Sequence, residues 1–224
     1  MFKFSENENT EIMDTIQAIS ESFSERLTLE SKELNTASTA VIVVDVINGF
    51  IEEGPLSDTR IRKIIQPIEN LIQALDQAQL VFINDAHNEK STEFDAFPQH
   101  CIKGSFESEI VEALNKYSNQ AAVLEKNSTN GFVSEAFQTW FKTASKSVDN
   151  FILVGDCTDI CIKQLALSIK TYFNECNAKK RIIVPVNSVE TFHLDLTNHN
   201  AQLMNLMSLY DMELGGIEII GAIE

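Results

Sequence analysis

The apolar residues of this chain alternate between two spacings. Ala40 to Val46 is a continuous β-branched run with one charge, Asp45, near its end; such a run marks a central strand buried on both faces. Leu80 to Asn84, Ala121 to Leu124, Phe151 to Val154, Arg181 to Val186 and Ile217 to Ile220 repeat it in shorter form. Between these runs the spacing changes to that of helices. Ile61 to Gln77 predicts a helix with Ile64, Ile65, Ile68, Leu71, Ile72 and Leu75 inward, and Phe106 to Tyr117, Ser134 to Thr143 and His199 to Leu209 predict three more. After Val154, Gly155 breaks the strand, and Thr158 or Asp159 can cap a helix beginning at Ile160 with Ile162, Leu165, Ala166 and Ile169 on its apolar face. Strands alternating with helices predict an α/β fold: a doubly wound, mostly parallel sheet with helices on both faces.

Two stretches stand apart from this alternation. Residues 1–38 are polar and acidic, with Ile12, Ile16 and Ile19 at helical spacing and Thr28 to Thr36 as a connection. They read as an accessory helix and linker packing on the domain (39–224) or on a partner subunit of a homo-oligomer. Ala86 to Lys103 is a long connection without a clear element; loops of this length are commonly functional or disordered.

Length and charge narrow the function. The 224 residues make one domain with an appendage, and 44% hydrophobic with 22% charged residues is ordinary for a globular protein. A formal charge of -16 argues against nucleic acid or an anionic membrane as partner. No apolar run approaches the roughly 20 residues of a membrane span. Met1-Phe-Lys-Phe-Ser-Glu lacks the apolar segment of a signal peptide. The four cysteines (101, 157, 161, 176) therefore read as reduced thiols in a cytoplasmic protein.

Three polar residues follow or end three different strands: Asp45, Lys126 and Cys161. Strand ends of a parallel sheet share one edge, where ligands bind. Together the three support nucleophilic chemistry, with Cys161 attacking a carbonyl, Asp45 shuttling the proton and Lys126 balancing charge. Placing Cys161 in the first turn of a helix favours a thiolate. The backbone N–H groups of Cys157 and Cys161 are candidates for an oxyanion hole. Singly, each has an ordinary explanation: a core cysteine, a turn-forming aspartate, a surface lysine. In the long loop, Asp85-Ala-His87, Glu93 and His100 offer nitrogen and oxygen ligands suited to a divalent ion such as zinc, manganese or ferrous iron. Cys101 reads as core or as support behind these ligands. No glycine-rich phosphate loop follows a strand, which counts against nucleotide binding.

From about Thr39 onward the chain resembles the isochorismatase-like cysteine hydrolases, and within them the nicotinamidases. Val41 to Phe50 looks like the family's strand, catalytic Asp and Asn-Asp-Phe; Lys126 with Asn130-Gly-Phe132 looks like its Lys segment; Gly155-Asp-Cys-Thr-Asp-Ile-Cys161 looks like its Gly-x-x-Thr-Asp-x-Cys turn. The resemblance implies Cys161 as nucleophile, Asp45 as general acid/base, Lys126 as third catalytic member, and a cis peptide at Asp156–Cys157. Asp85-Ala-His87 and Phe97-Pro-Gln-His100 look like the metal segment that marks nicotinamidases, and Glu93 falls where some supply a further carboxylate ligand. In that family the metal holds the substrate's pyridine nitrogen, and Phe50 and Phe97 match aromatic positions flanking the ring. The implied reaction is hydrolysis of nicotinamide to nicotinate and ammonia through a cysteine thioester, as in NAD salvage. Another small-amide or carbamoyl hydrolase of the superfamily, or a binding protein on the same fold, are the alternatives. The chain departs from the family pattern at Ile47, often Gln, and at Gly49, often Asp. Asp156 and Cys157 replace a small apolar pair, and an acid there opposes thiolate formation unless it points away or is paired. His193 and His199 read as structural.

Overall fold

A computed structural model describes residues 3–224. Its strands are β1 (Thr28–Leu29), β2 (Thr39–Val44), β3 (Gln79–Asp85), β4 (Ala122–Lys126), β5 (Asn150–Asp156), β6 (Arg181–Pro185), β7 (Val189–Glu190), β8 (Glu218–Ile220) and β9 (Ala222–Ile223). The helices are α1 (Glu6–Ser24), α2 (Asn48–Ile51), α3 (Ile65–Ala74), α4 (Glu112–Asn115), α5 (Glu135–Ser147), α6 (Lys163–Glu175) and α7 (Ala201–Leu214). The main sheet runs β4-β3-β2-β5-β6-β8, with β7 beside β5, and every pairing is parallel. The winding reverses between β2 and β5, so a crevice opens beyond their carboxyl ends.

Alternation along the strands builds two cores. Ala40, Ile42, Val44, Phe151 and Leu153 face a cluster that includes Phe141, Leu165, Ile169 and Met212. Val41, Val43, Ile152 and Val154 face Ile64, Ile68 and Leu71. Burial on both faces explains the unbroken apolar runs 40–44 in β2 and 151–154 in β5, whereas β4, at the sheet's edge, alternates half-buried and exposed positions up to buried Lys126.

Several elements differ from the sequence expectation for local reasons. The 61–77 helix divides into a tighter turn over Thr59–Ile64 and α3, whose first turn carries Pro67; there its missing N–H has no intrahelical acceptor to lose. The 106–117 segment is not one helix. It holds a turn at Phe106–Ser108 and the short α4, because Asn48 donates to the Glu109 carbonyl and Val111 to the Val46 carbonyl, at 2.9 and 3.2 Å. The last helix begins at Ala201 rather than His199, where Asn200 caps the Leu203 N–H. Thr28–Leu29 is not a plain connection: it pairs with Ala222–Ile223 as a second, two-stranded sheet. With the Arg26–Glu213 ion pair and buried Ile19, that pairing docks the N-terminal extension on the domain. Met1 and Phe2 of the extension lie outside the described residues. Among the described residues, no helix is long and apolar enough to cross a membrane.

Candidate active site

Strand register brings the sequence-selected residues to one edge. Asp85 lies opposite Lys126, and Val44, just before Asp45, lies opposite both Ile83 and Gly155. Gly155 has φ +117°, and a Cβ there would sit 2.0 Å from the Val44 carbonyl oxygen; only glycine permits this approach of the two strands. Asp45 turns out of β2 at φ 54°, a left-handed conformation that Asp tolerates better than most residues. Its Oδ1 accepts from the Asp85 N–H at 2.7 Å. Lys126 Nζ sits 2.7 Å from Asp45 Oδ2, 2.5 Å from Asp85 Oδ1 and 3.6 Å from Cys161 Sγ. All four side chains are buried.

The Cys161 turn is looser than the first turn of an α-helix. The Ile162 N–H donates to the Cys157 carbonyl, five residues back, at 3.1 Å, and α6 begins only at Lys163. The Asp156–Cys157 peptide is cis. The surroundings of Cys161 work against the expected thiolate. Burial pushes the Cys161 thiol well up; Lys126 pulls it down, but Asp45 and Asp85 add to the rise. Burial, with Asp85 beside it, also pushes Asp45 up to about 6 despite Lys126. Burial raises Asp85 too, yet Lys126 and the two histidines outweigh it and hold that carboxyl below the usual range. Burial, reinforced by Asp45, raises Asp156 well above an ordinary carboxylate. The shift is toward the neutral form, in which the opposition to a thiolate that a charge at this position would bring is absent.

Asp85, His87, Glu93 and His100 each bring a ligand atom within 4.8 Å of the others. The donor set and its support fit a divalent ion. His87 Nδ1 donates to Asn127 Oδ1 at 3.1 Å and His100 Nδ1 donates to the Pro98 carbonyl at 2.8 Å, which turns both Nε2 atoms into the cluster. His87 Nε2 is buried with no hydrogen-bond partner among the described residues, 3.4 Å from Asp85 and 3.6 Å from Glu93. Burial opposes a proton on His87, but the neighbouring carboxylates prevail and raise it; the same field would hold a cation. Glu93 Oε2 accepts from the Thr129 N–H at 2.9 Å, fixing the fourth member. Cys101 is buried and is not one of the four gathered ligand groups; at Gly49 a Cβ would lie 2.5 Å from Cys101 Sγ.

Phe50, Phe97, Asp85, Glu93, His100, Cys157 and Cys161 line one small pocket between the two clusters. Thr129 and Phe192 share that lining, and the sequence reading assigned neither them nor Asn127 a role. Asn127 had a usable signal, since it directly follows a strand-end lysine; Thr129 and Phe192 sit in loops whose course no periodicity reveals.

Residues 39–174 match the family model described as the isochorismatase domain. The protein called nicotinamidase 1 in Arabidopsis thaliana is 29% identical over 217 residues, covering 84% of this chain and 87% of that one. A second protein of that plant, called a probable inactive nicotinamidase, is 25% identical over 141 residues, 57% of this chain and 70% of its own. Among solved structures, the pyrazinamidase/nicotinamidase of Streptococcus mutans has a TM-score of 0.68 at 21% identity, covering 82% of this chain and all of that one (100%); that likeness is one of fold.

Proposed function

Because the chain belongs to the isochorismatase family, we propose that it is an amidohydrolase converting nicotinamide to nicotinate and ammonia, a step of pyridine salvage. The observation that carries the reading is a four-residue ligand cluster (Asp85, His87, Glu93, His100) joined through Lys126 to Asp45 and Cys161, with Asp85, Glu93, His100 and Cys161 lining one pocket. Phe50 and Phe97 supply the apolar walls a flat ring needs. A divalent ion held by the four ligands, with zinc, manganese and iron all suited to them, would offer a coordination position for the pyridine nitrogen.

In this reading Asp45 takes the Cys161 proton as Sγ attacks the amide carbon. The N–H groups of Cys157 and Cys161 receive the oxyanion. Lys126 keeps Asp45 and the forming thiolate in one charge-balanced cluster. Asp45 then gives its proton to the leaving nitrogen, the C–N bond breaks, and ammonia departs from a thioester on Cys161. A water deprotonated by Asp45 attacks that thioester, releasing nicotinate and restoring the thiol.

The test is ammonia release from nicotinamide by the purified protein, with and without chelator, beside Cys161→Ala. Turnover lost in both supports the full reading. Turnover lost only in the variant leaves a cysteine amidohydrolase that needs no ion. A relative called probably inactive makes a non-hydrolytic binding protein the second reading; it is favoured if nicotinamide and other small amides release no ammonia and Cys161 resists iodoacetamide.

A further inference from the structure

The loop from β7 to α7 reaches the pocket through one side chain. Phe192 lines it together with Cys161, Phe50, Phe97 and Ile160. Its ring is stacked on His199, with centroids 4.0 Å apart and planes 10° from parallel. His199 is held at both ring nitrogens: Nδ1 donates to the Phe192 carbonyl at 2.9 Å, and Nε2 lies 2.9 Å from Asp159 Oδ2. Asp159 belongs to the nucleophile turn, two residues before Cys161, and its side chain is 5% exposed. The loop is tied on either side as well. The His193 N–H donates to Asp58 Oδ2 at 2.9 Å, and Leu194 and His199 exchange backbone hydrogen bonds at 3.0 Å each.

These contacts form an unbroken chain from the nucleophile turn, through Asp159 and His199, to an aromatic face in the pocket wall. A ring fixed in this way loses little freedom when a ligand arrives, so its contact is not offset by ordering. We infer that Phe192 is a specificity-determining wall and that His199 is a positioning residue which registers it against the nucleophile turn, selecting flat aromatic amides over small aliphatic ones. The inference deepens the proposed nicotinamide reading and rests on it only for the identity of the bond cleaved. Phe192 meets the substrate ring; His199 acts through Phe192 alone. An aromatic contact of this kind corresponds to about tenfold in binding.

The experiment measures how well nicotinamide and acetamide protect Cys161 from iodoacetamide, with the ligand-free alkylation rate of each variant as its own reference. In the wild-type chain nicotinamide should protect at much lower concentration than acetamide. Phe192→Ala should shrink that ratio about tenfold, and Phe192→Tyr should keep it. His199→Ala should shrink it in the same sense, yet add nothing on the Phe192→Ala background. His199→Gln, which retains a donor, replaces the alanine variant if that one fails to fold. An unchanged ratio in Phe192→Ala, a further loss from His199→Ala in the double variant, or equal protection by both amides in the wild type would each overturn the inference. Wild-type ammonia release from nicotinamide, run in parallel, isolates the other failure: no turnover with the protection ratio and its loss intact would sink the nicotinamidase reading and leave the aromatic wall standing.

Discussion

Glu190 and Asp45 are both carboxylates with no exposed side-chain surface, both set by strand ends of the same sheet, yet their surroundings differ in kind. The oxygens of Glu190 are all engaged: Oε1 by the Thr191 N–H at 2.8 Å and by Asn205 Nδ2, Oε2 by Arg60 at 3.3 Å and by Lys63. Around Asp45 a single lysine serves two carboxylates and a thiol, while His87 Nε2 and Asp156 Oδ2 are buried without hydrogen-bond partners among the described residues. Native proteins rarely leave such groups unmatched. The saturated carboxylate holds β7 to the turn before α3, although Arg60 Nε, Thr191 Oγ1 and Asn205 Oδ1 around it lack hydrogen-bond partners among the described residues. The unsaturated one keeps donor and acceptor capacity in reserve.

The contrast breaks most visibly at Lys126. Lys126→Met removes the cation between Asp45 and Asp85, and kcat/KM for nicotinamide should fall about a thousandfold, the upper range for losing one preorganised electrostatic partner. If the variant only melted earlier while its folded fraction kept full activity, Lys126 would be a strut like Glu190's partners. Glu190→Gln is the mirror experiment. Arg60 and Lys63 are partly exposed and can rehydrate, so urea unfolding should show a loss of about 2 kcal/mol, below the full cost of breaking a buried pair, with kcat/KM nearly unchanged. A collapse of activity without destabilisation would erase the distinction between the two clusters.

Asp156 sharpens the comparison through pH. Its pKa is raised in the folded chain, so folding is opposed increasingly as pH climbs past the unfolded carboxylate value of about 3.9 and until the folded pKa is reached. Asp156→Val removes that term. The variant's stability advantage over wild type should grow as pH rises above that unfolded value, by at most about 1.4 kcal/mol per unit. A difference in melting temperature that stays constant from about pH 4 upward would show that the carboxyl of Asp156 is not raised in the folded chain.

Much of this arrangement is legible in the amino-acid sequence. Unbroken β-branched runs predicted β2, β3 and β5, and the polar residues ending them predicted which side chains meet, since strand ends of a parallel sheet share an edge. The Asp85, His87, Glu93 and His100 grouping was readable as donor types in one loop, though not the turns of Asn127 and Pro98 that aim the two rings. What sequence hid depends on contacts distant in the chain. The 106–117 helix failed because hydrogen bonds to the segment after β2 outweighed local periodicity. Two-residue pairings such as β1 with β9 are too short to carry a pattern. The upward push on the Cys161 thiol comes from burial and from two carboxylates supplied by other strands, against the helix-terminus effect that local sequence suggests.

The loop bearing the ligand cluster is closed at its neck. His87 and Ile102 form a bridge in which the His87 N–H donates to the Cys101 carbonyl at 2.9 Å and the Lys103 N–H to the His87 carbonyl at 3.0 Å. Closing a loop costs chain entropy that grows only slowly with its length, and here the backbone meets that cost on its own. An arriving cation would find its ligands already gathered, so metal capture should be decoupled from folding, in contrast to small metal-dependent domains that collapse only around their ion. Stripping the metal should therefore leave the amides of His87 and Lys103 protected from hydrogen exchange and the melting transition cooperative, with apo and loaded forms sharing one backbone.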